Sequence, residues 1–384
     1  MKILLIGEYS RLHNSLKEGL EALGHEVKIV GTGDAFKGFP VDFSIAPKIV
    51  SDHFLWKPIN KIWYKIFKVD LSDYEKGWRF KKLLPGLKGF DVVQLINSNA
   101  IEAPPHLQIK LYEKLFSQNN KKFLLICGED TPIVEELLKD NLKYSILTPL
   151  LKNPKLRKNY FYTLKYASKP YKKLYDFVAC NSDGLIVSDL DYKIPMDQQN
   201  AVTTFIPNPI NTDKIAFIPN QIDNKIIIFH GINTLSADKK GTRFFTEALE
   251  KIDQKYGERV DIISVSNIPY SLYIRLYDKA HIVLDQVYGY DQGYNALEAM
   301  AKGKVVFTGA ETEFYDYYRL TEAVNINAVP DVSVLVEKLS FLIENPGEII
   351  EIGKRARNFI EKEHHYKIIA EKYIAFWHKK IRNN

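Results

Sequence analysis

The amino-acid sequence predicts an α/β protein with two doubly wound domains, each built on a parallel sheet with helices on both faces. The chain opens with a strand, a helix and a second strand between Lys2 and Val30, an order of elements that is typical of a parallel sheet. A proline-rich segment near residue 206 separates this part from a second series of strands and helices that begins at Lys225. Two successive series joined by a short linker predict two domains.

Length and composition agree with this architecture and exclude several classes of protein. The 384 residues suffice for two domains, and 46% hydrophobic with 26% charged residues is typical of a globular chain. Cys127 and Cys180 lie in apolar runs that predict strands, so we expect buried free thiols in a reducing compartment, without a disulfide or zinc. No apolar run is long enough for a transmembrane helix, and Met1 to Gly7 indicates a strand rather than a signal peptide, which predicts a cytoplasmic location.

The first domain is predicted to consist of several strand–helix units. Apolar residues at Leu12, Leu16 and Leu20 indicate a helix over Ser10 to Leu23. No G-x-G-x-x-G follows the first strand, so a dinucleotide site is disfavoured there. Further strands are predicted at Asp91–Ile96, Phe123–Cys127 and Tyr175–Asn181.

The second domain is predicted to begin after the linker Phe205 to Asp213, which has two prolines within three residues. Its predicted strands are Lys225–Phe229, Val260–Val265, His281–Leu284 and Lys304–Phe307. Its predicted helices are Thr242–Tyr256, Ser271–Lys279 and 294–302, and the segment from Pro346 to Ile381 is also expected to be helical.

The stretch from Tyr290 to Val306 carries the strongest functional signal in the chain. Gly293 permits a tight entry into a helix, where unpaired backbone N–H groups attract anions. Glu298 lies four residues after Tyr294, so both side chains can face the same way. The arrangement suits a nucleotide, with its phosphate at the N–H groups and its ribose on the carboxylate. An ordinary loop, helix and strand with an exposed Glu298 is the alternative.

The same stretch resembles the donor-site signature E-G-F-G-x-x-x-x-E-A-M-A-x-G of the retaining GT-B glycosyltransferases of family 4. Gly293 and the run from Glu298 to Gly303 match this signature, whereas Tyr290 stands in place of its first glutamate. The resemblance implies that Glu298 contacts the nucleotide ribose. It also implies donor contacts from the segment before Glu298, namely Tyr290, Asp291, Gln292, Gly293 and Tyr294.

The linker and the order of the domains resemble the same family. The run from Ile206 to Asn211, Ile-Pro-Asn-Pro-Ile-Asn, is similar to the I-P-N-G-I-D at the junction between its domains. The resemblance implies the GT-B fold, with Rossmann-like domains over residues 1–205 and 206–362 on either side of a cleft. A C-terminal helix over residues 363–384 is implied to cross back and pack on the first domain.

A second donor-side element follows the first strand of the second domain. Lys239-Lys240-Gly241-Thr242 opens a helix, where a lysine adds a cation to the helix-start amides. The Lys-Gly pair resembles the Arg-x4-Lys-Gly element that holds the donor pyrophosphate in the family, although the arginine position is Leu235 here. Lys239 or Arg243 can supply the second cation, and a solvated basic helix start is the alternative. The donor-side candidates are therefore Lys240, Arg243, His230 and Gly231.

Polar residues after the strands of the first domain predict the opposite wall of the cleft, because ligands lie beyond the carboxyl ends of such strands. Glu8, Ser10 and His13 follow the first strand, and Glu129 and Asp130 follow a later one. Gly128-x-Asp130 also resembles the G-x-D found near the acceptor in several members of the family. We expect these residues to bind acceptor hydroxyls, with a packed or solvated histidine as the alternative for His13.

The resemblance implies transfer of a sugar from a nucleotide-sugar co-substrate with retained configuration, in surface polysaccharide or glycolipid assembly. The acceptor is expected to be a saccharide or a lipid-linked molecule. Lys240, a second cation and helix-start amides are expected to stabilise the leaving diphosphate, and Lys240, Glu298 and His13 are the catalytic candidates. No His, Asp or Glu cluster has metal-ligand spacing, so no metal or other cofactor is expected. Asp189-Leu190-Asp191 is interpreted as surface.

Two basic-aromatic stretches of the first domain indicate a further partner. Trp56 to Lys68 mixes tryptophan and isoleucine with four lysines, and Asn141 to Tyr175 holds nine basic residues and no acidic one. Such stretches bind anionic membranes, which predicts peripheral attachment to the inner face of the membrane. A solvated helix face is the alternative, and nucleic acid is disfavoured because no recognition motif is present. Two rival functions also stay open: a non-catalytic nucleotide-sugar-binding protein, suggested by Tyr290, and an adaptor that uses the basic stretches.

Overall fold

The computed structural model describes residues 1–34, 38–52, 56–67, 69–266, 268 and 270–382. Lys68, the last residue of the first basic-aromatic stretch, lies outside this set. The chain forms two parallel sheets with helices packed on them, so the predicted α/β fold class is confirmed. Within the described part of the chain, no helix is long and apolar enough to cross a membrane.

Seven parallel strands form the first sheet: β1 (Lys2–Ile6), β2 (Glu26–Gly31), β3 (Phe43–Ser44), β4 (Val92–Leu95), β5 (Lys121–Ile126), β6 (Gly184–Val187) and β7 (Thr203–Phe205). Their order is β3-β2-β1-β4-β5-β6-β7, so the winding direction reverses between β1 and β4. The apolar run Ile3 to Ile6 is fully buried, as a strand covered on both faces requires. A reversal of this kind leaves a crevice at the carboxyl ends of the strands, where ligands bind.

The described helices of this half are α1 (Leu12–Ala22), α2 (Ile49–Asp52), α3 (Trp56–Phe67), α4 (Leu71–Leu83), α5 (Pro105–Ser117), α6 (Thr131–Leu137), α7 (Thr148–Lys152), α8 (Phe161–Leu164), α9 (Lys169–Cys180) and α10 (Leu190–Gln198). Short 3₁₀ segments cover Leu84–Gly86, Pro154–Tyr160 and Lys165–Ala167. The predicted stripe of α1 is confirmed, because Leu12, Leu16 and Leu20 are buried.

The strand predicted at Tyr175–Asn181 is wrong, because these residues belong to helix α9. Leu174 and Val178, four residues apart, are the buried residues of that helix, and the strand follows it as β6. Aromatic and β-branched residues next to Cys180 resemble a strand when read locally. The expectation for Cys180 is corrected as well: it is exposed at the end of α9, whereas Cys127 is half-buried, and both thiols are free.

Five parallel strands form the second sheet: β8 (Ile226–Ile232), β9 (Val260–Ser266), β10 (Ile282–Leu284), β11 (Val305–Thr308) and β12 (Ile326–Asn327). The order β12-β11-β10-β8-β9 reverses between β8 and β10. The accompanying helices are α11 (Ala237–Lys240), α12 (Thr242–Tyr256), α13 (Tyr270–Lys279), α14 (Tyr294–Ala301), α15 (Thr312–Tyr318), α16 (Val332–Glu344) and α17 (Pro346–Phe359). A 3₁₀ turn covers Gly257–Arg259, and α12 has the bounds predicted for it.

The chain crosses between the two sheets twice, and the two crossings are hydrogen-bonded to each other. The Ile210 N–H donates to His364 O at 2.7 Å, and the Tyr366 N–H donates to Ile210 O at 3.1 Å. A π-helical turn (Ile360–His364) leads into α18 (Tyr366–Arg382), which packs against α1. Gly19 of α1 allows this approach, because a Cβ there would lie 2.4 Å from Tyr366 O.

Candidate active site

A cavity of about 760 Å³ lies between the two sheets, at the carboxyl ends of their strands. Ser10 and Glu129, which follow β1 and β5, line it from the first half of the chain. Lys240 and Gly293 line it from the second half. The predicted cleft is therefore present, and residues named from the sequence occur on both of its walls.

Lys240 lies at the junction of α11 and α12. Its ammonium donates to Asp285 Oδ1 at 2.7 Å, and the Asp285 side chain, which follows β10, is only 2% exposed. Gly241 permits the tight junction, since its φ is +67° and a Cβ there would lie 2.3 Å from Val287 Cγ2. The ion pair thus holds a cation in the cavity wall beside the start of a fifteen-residue helix.

The start of α14 forms the neighbouring part of this wall. Gly293 precedes the helix in an extended conformation and lines the cavity together with Tyr294, so the start of α14 lies at the wall. The first N–H groups of a helix have no partner within the helix. The Tyr294 hydroxyl donates to Pro209 O at 2.8 Å and lies 2.6 Å from Ser15 Oγ, which ties α14 to the linker and to α1. Glu298 follows one turn later, half-buried and outside the cavity lining.

His230 and Gly231 lie behind this wall rather than in it. His230 is buried with its ring 5.5 Å from that of Phe245, and burial, helped by the Lys240 charge, lowers its pKa to about 4. Gly231 lies under Tyr273, whose ring would be 2.5 Å from an added Cβ. Both residues belong to β8, the strand that precedes the Lys240 segment.

Lys239, rather than Arg243, is the second cation in the cavity wall. Arg243 is exposed, with its guanidinium 4.6 Å from the ring centre of Phe244. Lys239 lines the cavity and forms an ion pair across it with Glu129. This pair joins the two walls directly.

Tyr290 turns away from the cavity. The Lys143 backbone N–H donates to the Tyr290 hydroxyl at 3.0 Å, and the Tyr290 ring lies 5.7 Å from that of Tyr144. Its own N–H donates to Asp191 Oδ1 at 2.8 Å. The side chain at this position therefore joins the two halves of the molecule.

Asp291 and Gln292 are also buried beside Tyr290. The Leu190 N–H donates to Asp291 Oδ2 at 3.2 Å, and burial raises the pKa of Asp291 to about 6. The Gln292 side-chain amide donates to Gly309 O at 2.8 Å. These contacts fix the loop before α14, so the two residues position Gly293 without lining the cavity.

The interpretation of Asp189 and Asp191 as surface residues is wrong. Both line the cavity, because they follow β6 at the carboxyl edge of the first sheet. Asp189 accepts from the Tyr192 N–H at 3.2 Å at the start of α10. Burial raises the pKa of both carboxyl groups.

Two of the predicted acceptor-side residues lie beneath the cavity wall. Glu8 is 1% exposed, and its carboxylate accepts from the N–H and the side-chain amide of Asn14 at 2.8 and 2.6 Å. Burial raises the pKa of Glu8 to about 8. His13 is fully buried, with Nδ1 2.8 Å from Gly7 O and Nε2 3.2 Å from Gln94 Nε2, and burial lowers its pKa to about 4. Neither side chain reaches the position expected for an acceptor contact.

Asp130 is likewise buried and holds the loops in place. Its carboxylate accepts from the Ser98 N–H and hydroxyl at 2.9 and 2.7 Å and from the Thr131 N–H at 2.7 Å. It therefore caps α6 and fixes the loop after β4. Of the acceptor-side candidates, Ser10 and Glu129 are the two that line the cavity.

The first-half wall contains a group of residues that sequence reasoning missed. Lys76 of α4 forms ion pairs with Asp73 at 2.9 Å and with Glu102 at 3.2 Å, and all three line the cavity. The segment around α8 and α9 adds Tyr162, Lys165, Tyr166 and Tyr171. No local sequence pattern predicts this group, because its members come from three separate segments. Among the described residues, no three His, Cys, Asp or Glu side chains are arranged to hold a metal ion.

Comparison with known proteins agrees with this geometry. Residues 239–375 match a family model described as glycosyl transferase-like. The structure is similar to a sucrose-phosphate synthase from Thermosynechococcus elongatus, with a TM-score of 0.58 and 14% identity over 100% of both chains. It is also similar to HepE from Anabaena in complex with UDP-glucose, with a TM-score of 0.58 and 12% identity over 99% of this chain and 100% of that one.

A glycosyltransferase from Rickettsia africae is similar as well, with a TM-score of 0.55 and 14% identity over 100% of this chain and 99% of that one. A comparison with curated proteins found no match. The chain has the GT-B fold. Its doubly wound sheets and the family match in its second half together support a GT-B glycosyltransferase.

Proposed function

We propose that the protein transfers a sugar from a nucleotide-sugar donor to a saccharide or lipid-linked acceptor, with retained configuration and without a metal. The observation that carries this proposal is the meeting of Lys240 and the start of α14 in one cavity wall. The opposite wall, from the other sheet, offers polar and aromatic side chains for a second substrate. Retention and metal independence rest on the resemblance of the 290–303 segment to the family 4 signature.

The donor diphosphate is proposed to lie at the N–H groups of α14, with Lys240 and Lys239 as its cations. Helix-start amides and lysine ammonium groups both favour negative charge, and the charge on the diphosphate grows as the sugar departs. Asp285 keeps the Lys240 ammonium in the wall through the 2.7 Å contact. Glu298, one turn along α14, is proposed to accept from the ribose hydroxyls.

Tyr290 gives no support to a sugar contact at its position, because its hydroxyl accepts from Lys143 and its ring packs on Tyr144. This departure from the family signature keeps a non-catalytic nucleotide-sugar-binding protein as the second candidate. The two candidates share the donor site and differ in whether the sugar–phosphate bond is broken.

A thermal-shift screen followed by an activity assay separates these candidates. Nucleoside diphosphates and their sugars are compared for stabilisation of the protein, starting with UDP because UDP-glucose is bound in the similar HepE. Release of the nucleoside diphosphate from the stabilising nucleotide sugar is then followed with and without saccharide acceptors. Thermal stabilisation of the protein with release of the nucleoside diphosphate supports transfer, and stabilisation without release supports the binding protein. If no nucleotide stabilises the protein, both candidates are contradicted.

We also propose that the first half of the chain docks on an anionic membrane surface, in keeping with surface polysaccharide or glycolipid assembly. Ile59, Ile62 and Ile66 recur on one face of α3 and are exposed, the last two by 63% and 65%. The Tyr64 ring lies 6.5 Å from that of Phe161, which joins α3 to α8. The exposed apolar side chains described on α3 and α8, named here the α3–α8 patch, are Trp56, Ile59, Ile62, Tyr64, Ile66, Phe161 and Tyr162.

Exposed cations lie close in sequence to the α3–α8 patch. Lys155, Arg157 and Lys158 are all exposed in the 3₁₀ segment before α8. Apolar area combined with basic residues is the pattern that anionic bilayers bind. Tyr162 is 72% exposed and also lines the cavity, so the α3–α8 patch extends to the mouth of the proposed site. A membrane adaptor without transfer activity is the outcome if vesicle binding is found and nucleotide binding is not.

A further inference from the structure

Lys165 differs from the other lysines of its basic stretch in where its ammonium lies. It occupies the short 3₁₀ segment between α8 and α9 and lines the cavity. Three tyrosine rings surround the ammonium: the ring centres of Tyr166, Tyr171 and Tyr162 are 5.0, 5.3 and 5.7 Å from Nζ. Tyrosine rings at this distance attract a cation, so these three rings, named here the tyrosine cage, hold the ammonium at the cavity wall.

Lys165 also lacks a carboxylate partner in the part of the chain that the structure describes. No carboxylate oxygen there lies within ion-pair distance of its Nζ, whereas Lys143 pairs with Glu311 and Lys172 pairs with Glu135. The nearby carboxylates of Asp73 and Glu102 are both held by Lys76.

Burial lowers the pKa of Lys165, and the charges of Glu102 and Asp73 oppose this shift from a distance. A partly desolvated ammonium without a contacting anion is costly to keep in a protein wall, because its hydration is lost and no ion pair replaces it. A ligand that brings an anion into the cavity removes that cost.

A second hydrogen-bond donor lies beside this cation. The Asn99 side-chain amide donates to the Tyr166 hydroxyl at 3.3 Å, so the hydroxyl hydrogen of Tyr166 can be donated to a ligand. Tyr166 is buried at the cavity wall, and its ring is part of the cage around Lys165. Lys165 and Tyr166 both line the cavity, and an ammonium and a phenol are donors suited to the oxygens of a carboxylate or a phosphate.

We propose that Lys165, with its tyrosine cage, binds an anionic group on the acceptor, either a carboxylate or a phosphate. The inference rests on the proposed function, because it places the acceptor against the wall opposite Lys240. It assigns a substrate class, an anionic saccharide, to a position that the sequence pattern placed on the membrane-facing surface. The donor site does not include Lys165, so the two sites can be tested separately.

A glycan array probed in the presence of saturating UDP tests this assignment. The array carries neutral saccharides, the same saccharides with a uronic acid, and the same saccharides with a phosphate monoester. The wild type is expected to bind at least one anionic class about tenfold more strongly than its neutral counterpart, since a charge-assisted hydrogen bond contributes this much. The uronate and phosphate series show which source of the anion the site accepts.

Three variants make the result specific to the cage. Lys165→Met keeps the apolar stem among the tyrosines and is expected to lose the preference for anionic glycans, whereas Lys165→Arg is expected to keep most of it. Lys169→Met removes an exposed lysine four residues away and is expected to change nothing. All variants are expected to bind UDP with wild-type affinity, which shows that they are folded.

The absence of an anionic preference in the wild type, or a preference that survives Lys165→Met, overturns the assignment. Failure of the proposed donor site is detected separately, because the wild-type protein then does not bind UDP. A preference lost equally in Lys169→Met also overturns the assignment, because it indicates non-specific attraction to the basic surface.

Discussion

The two walls of the cavity are built in different ways. Apart from Asn208 of the linker, the second-half wall comes from two short segments, residues 236–240 and 286–294, and it combines a helix start with lysine ammonium groups. The first-half wall draws its side chains from distant segments, among them α4, residues 97–102 and residues 162–171. The wall proposed to bind the donor thus follows from a local pattern, whereas the wall proposed to bind the acceptor depends on how remote segments pack.

The largest effect is expected at Lys240 on the second-half wall. Lys240→Ala should lower the turnover number by about a hundredfold to a thousandfold, and should change the Michaelis constant much less, because the charge it stabilises grows toward the transition state. Lys240→Arg should recover only part of the rate, since the two cations differ in shape. Steady-state release of the nucleoside diphosphate measures both constants.

Lys251→Ala provides a matched control, because Lys251 is an exposed lysine on α12. Its kinetics should equal those of the wild type. The Lys240→Ala protein must also melt near the wild-type temperature, because the substitution leaves Asp285 without its partner. Transfer at the wild-type rate by folded Lys240→Ala rules out the leaving-group role.

The next effect concerns the surface that borders the first-half wall. Replacing Lys155, Arg157 and Lys158 by Gln should weaken binding to anionic vesicles by roughly two orders of magnitude at low salt, because each basic residue near such a surface contributes about 1 kcal/mol. Salt should weaken binding of the wild type through screening. Co-sedimentation with anionic and neutral liposomes at low and high salt measures these differences, and activity on a short soluble acceptor should persist.

A triple variant of Lys251, Lys255 and Lys279 to Gln removes the same charge from the second half and should pellet like the wild type. If the wild type shows no salt-sensitive pelleting, these residues are a solvated face. Equal pelleting of the two triple variants likewise rejects the docking surface.

A smaller effect is expected at Glu298, again on the second-half side. Glu298→Ala should weaken binding of the nucleoside diphosphate by roughly tenfold to a hundredfold, since a hydrogen bond to a charged group contributes about 1.5–3 kcal/mol. Isothermal titration calorimetry measures the affinity, with Glu250→Ala on the exposed face of α12 as the control. An affinity within twofold of the wild type in the folded Glu298→Ala protein contradicts the ribose contact.

The smallest effect on turnover is expected at Glu8, although a change in stability should accompany it. Burial raises the pKa of Glu8 from 4.5 to about 8, so the unfolded chain releases this proton at lower pH than the native protein does. The contribution of Glu8 to the free energy of unfolding is therefore complete below pH 4.5 and is lost as the pH rises through 8. Glu8→Gln should reduce the fall in melting temperature between pH 5 and pH 8.5.

Glu113→Gln removes an exposed carboxylate and should leave that fall unchanged. Turnover of Glu8→Gln should remain close to wild type, because Glu8 lies beneath the wall and contacts Asn14. A large loss of turnover in a variant of unchanged stability would place Glu8 in contact with substrate after all.

The fold was predictable from the sequence because its main signals are local. The apolar run of β1, the stripe of α1 and the bounds of α12 follow from residue periodicity within one element. The exception is α9, where aromatic residues and Val178 near Cys180 resemble a strand over seven residues. Leu174 and Val178 are the buried residues of this helix, and α9 packs against α5, so its conformation depends on a segment that is distant in sequence.

The candidate site was predicted on both walls, since Ser10 and Glu129 line the cavity, but most securely on the side where a backbone feature carries the chemistry. Gly293 and Lys240 are next to helix starts, and both line the cavity as the pattern suggests. Asp130, by contrast, follows a strand in the expected place and yet turns inward to bind Ser98. Position after a strand brings a residue to the correct edge of a sheet, but it does not determine which way the side chain points.

The most direct test of the account is a crystal structure of the protein with the nucleoside diphosphate that stabilises it most. We predict that the diphosphate lies at the first turn of α14, with its oxygens in contact with the Gly293–Tyr294 segment and the Lys240 ammonium. The ribose is expected to lie against Glu298, and the cavity wall around Lys165 is expected to remain open for the acceptor. A diphosphate bound away from both Lys240 and α14, or a nucleotide lying in the Lys165 cage instead, would contradict the central claim.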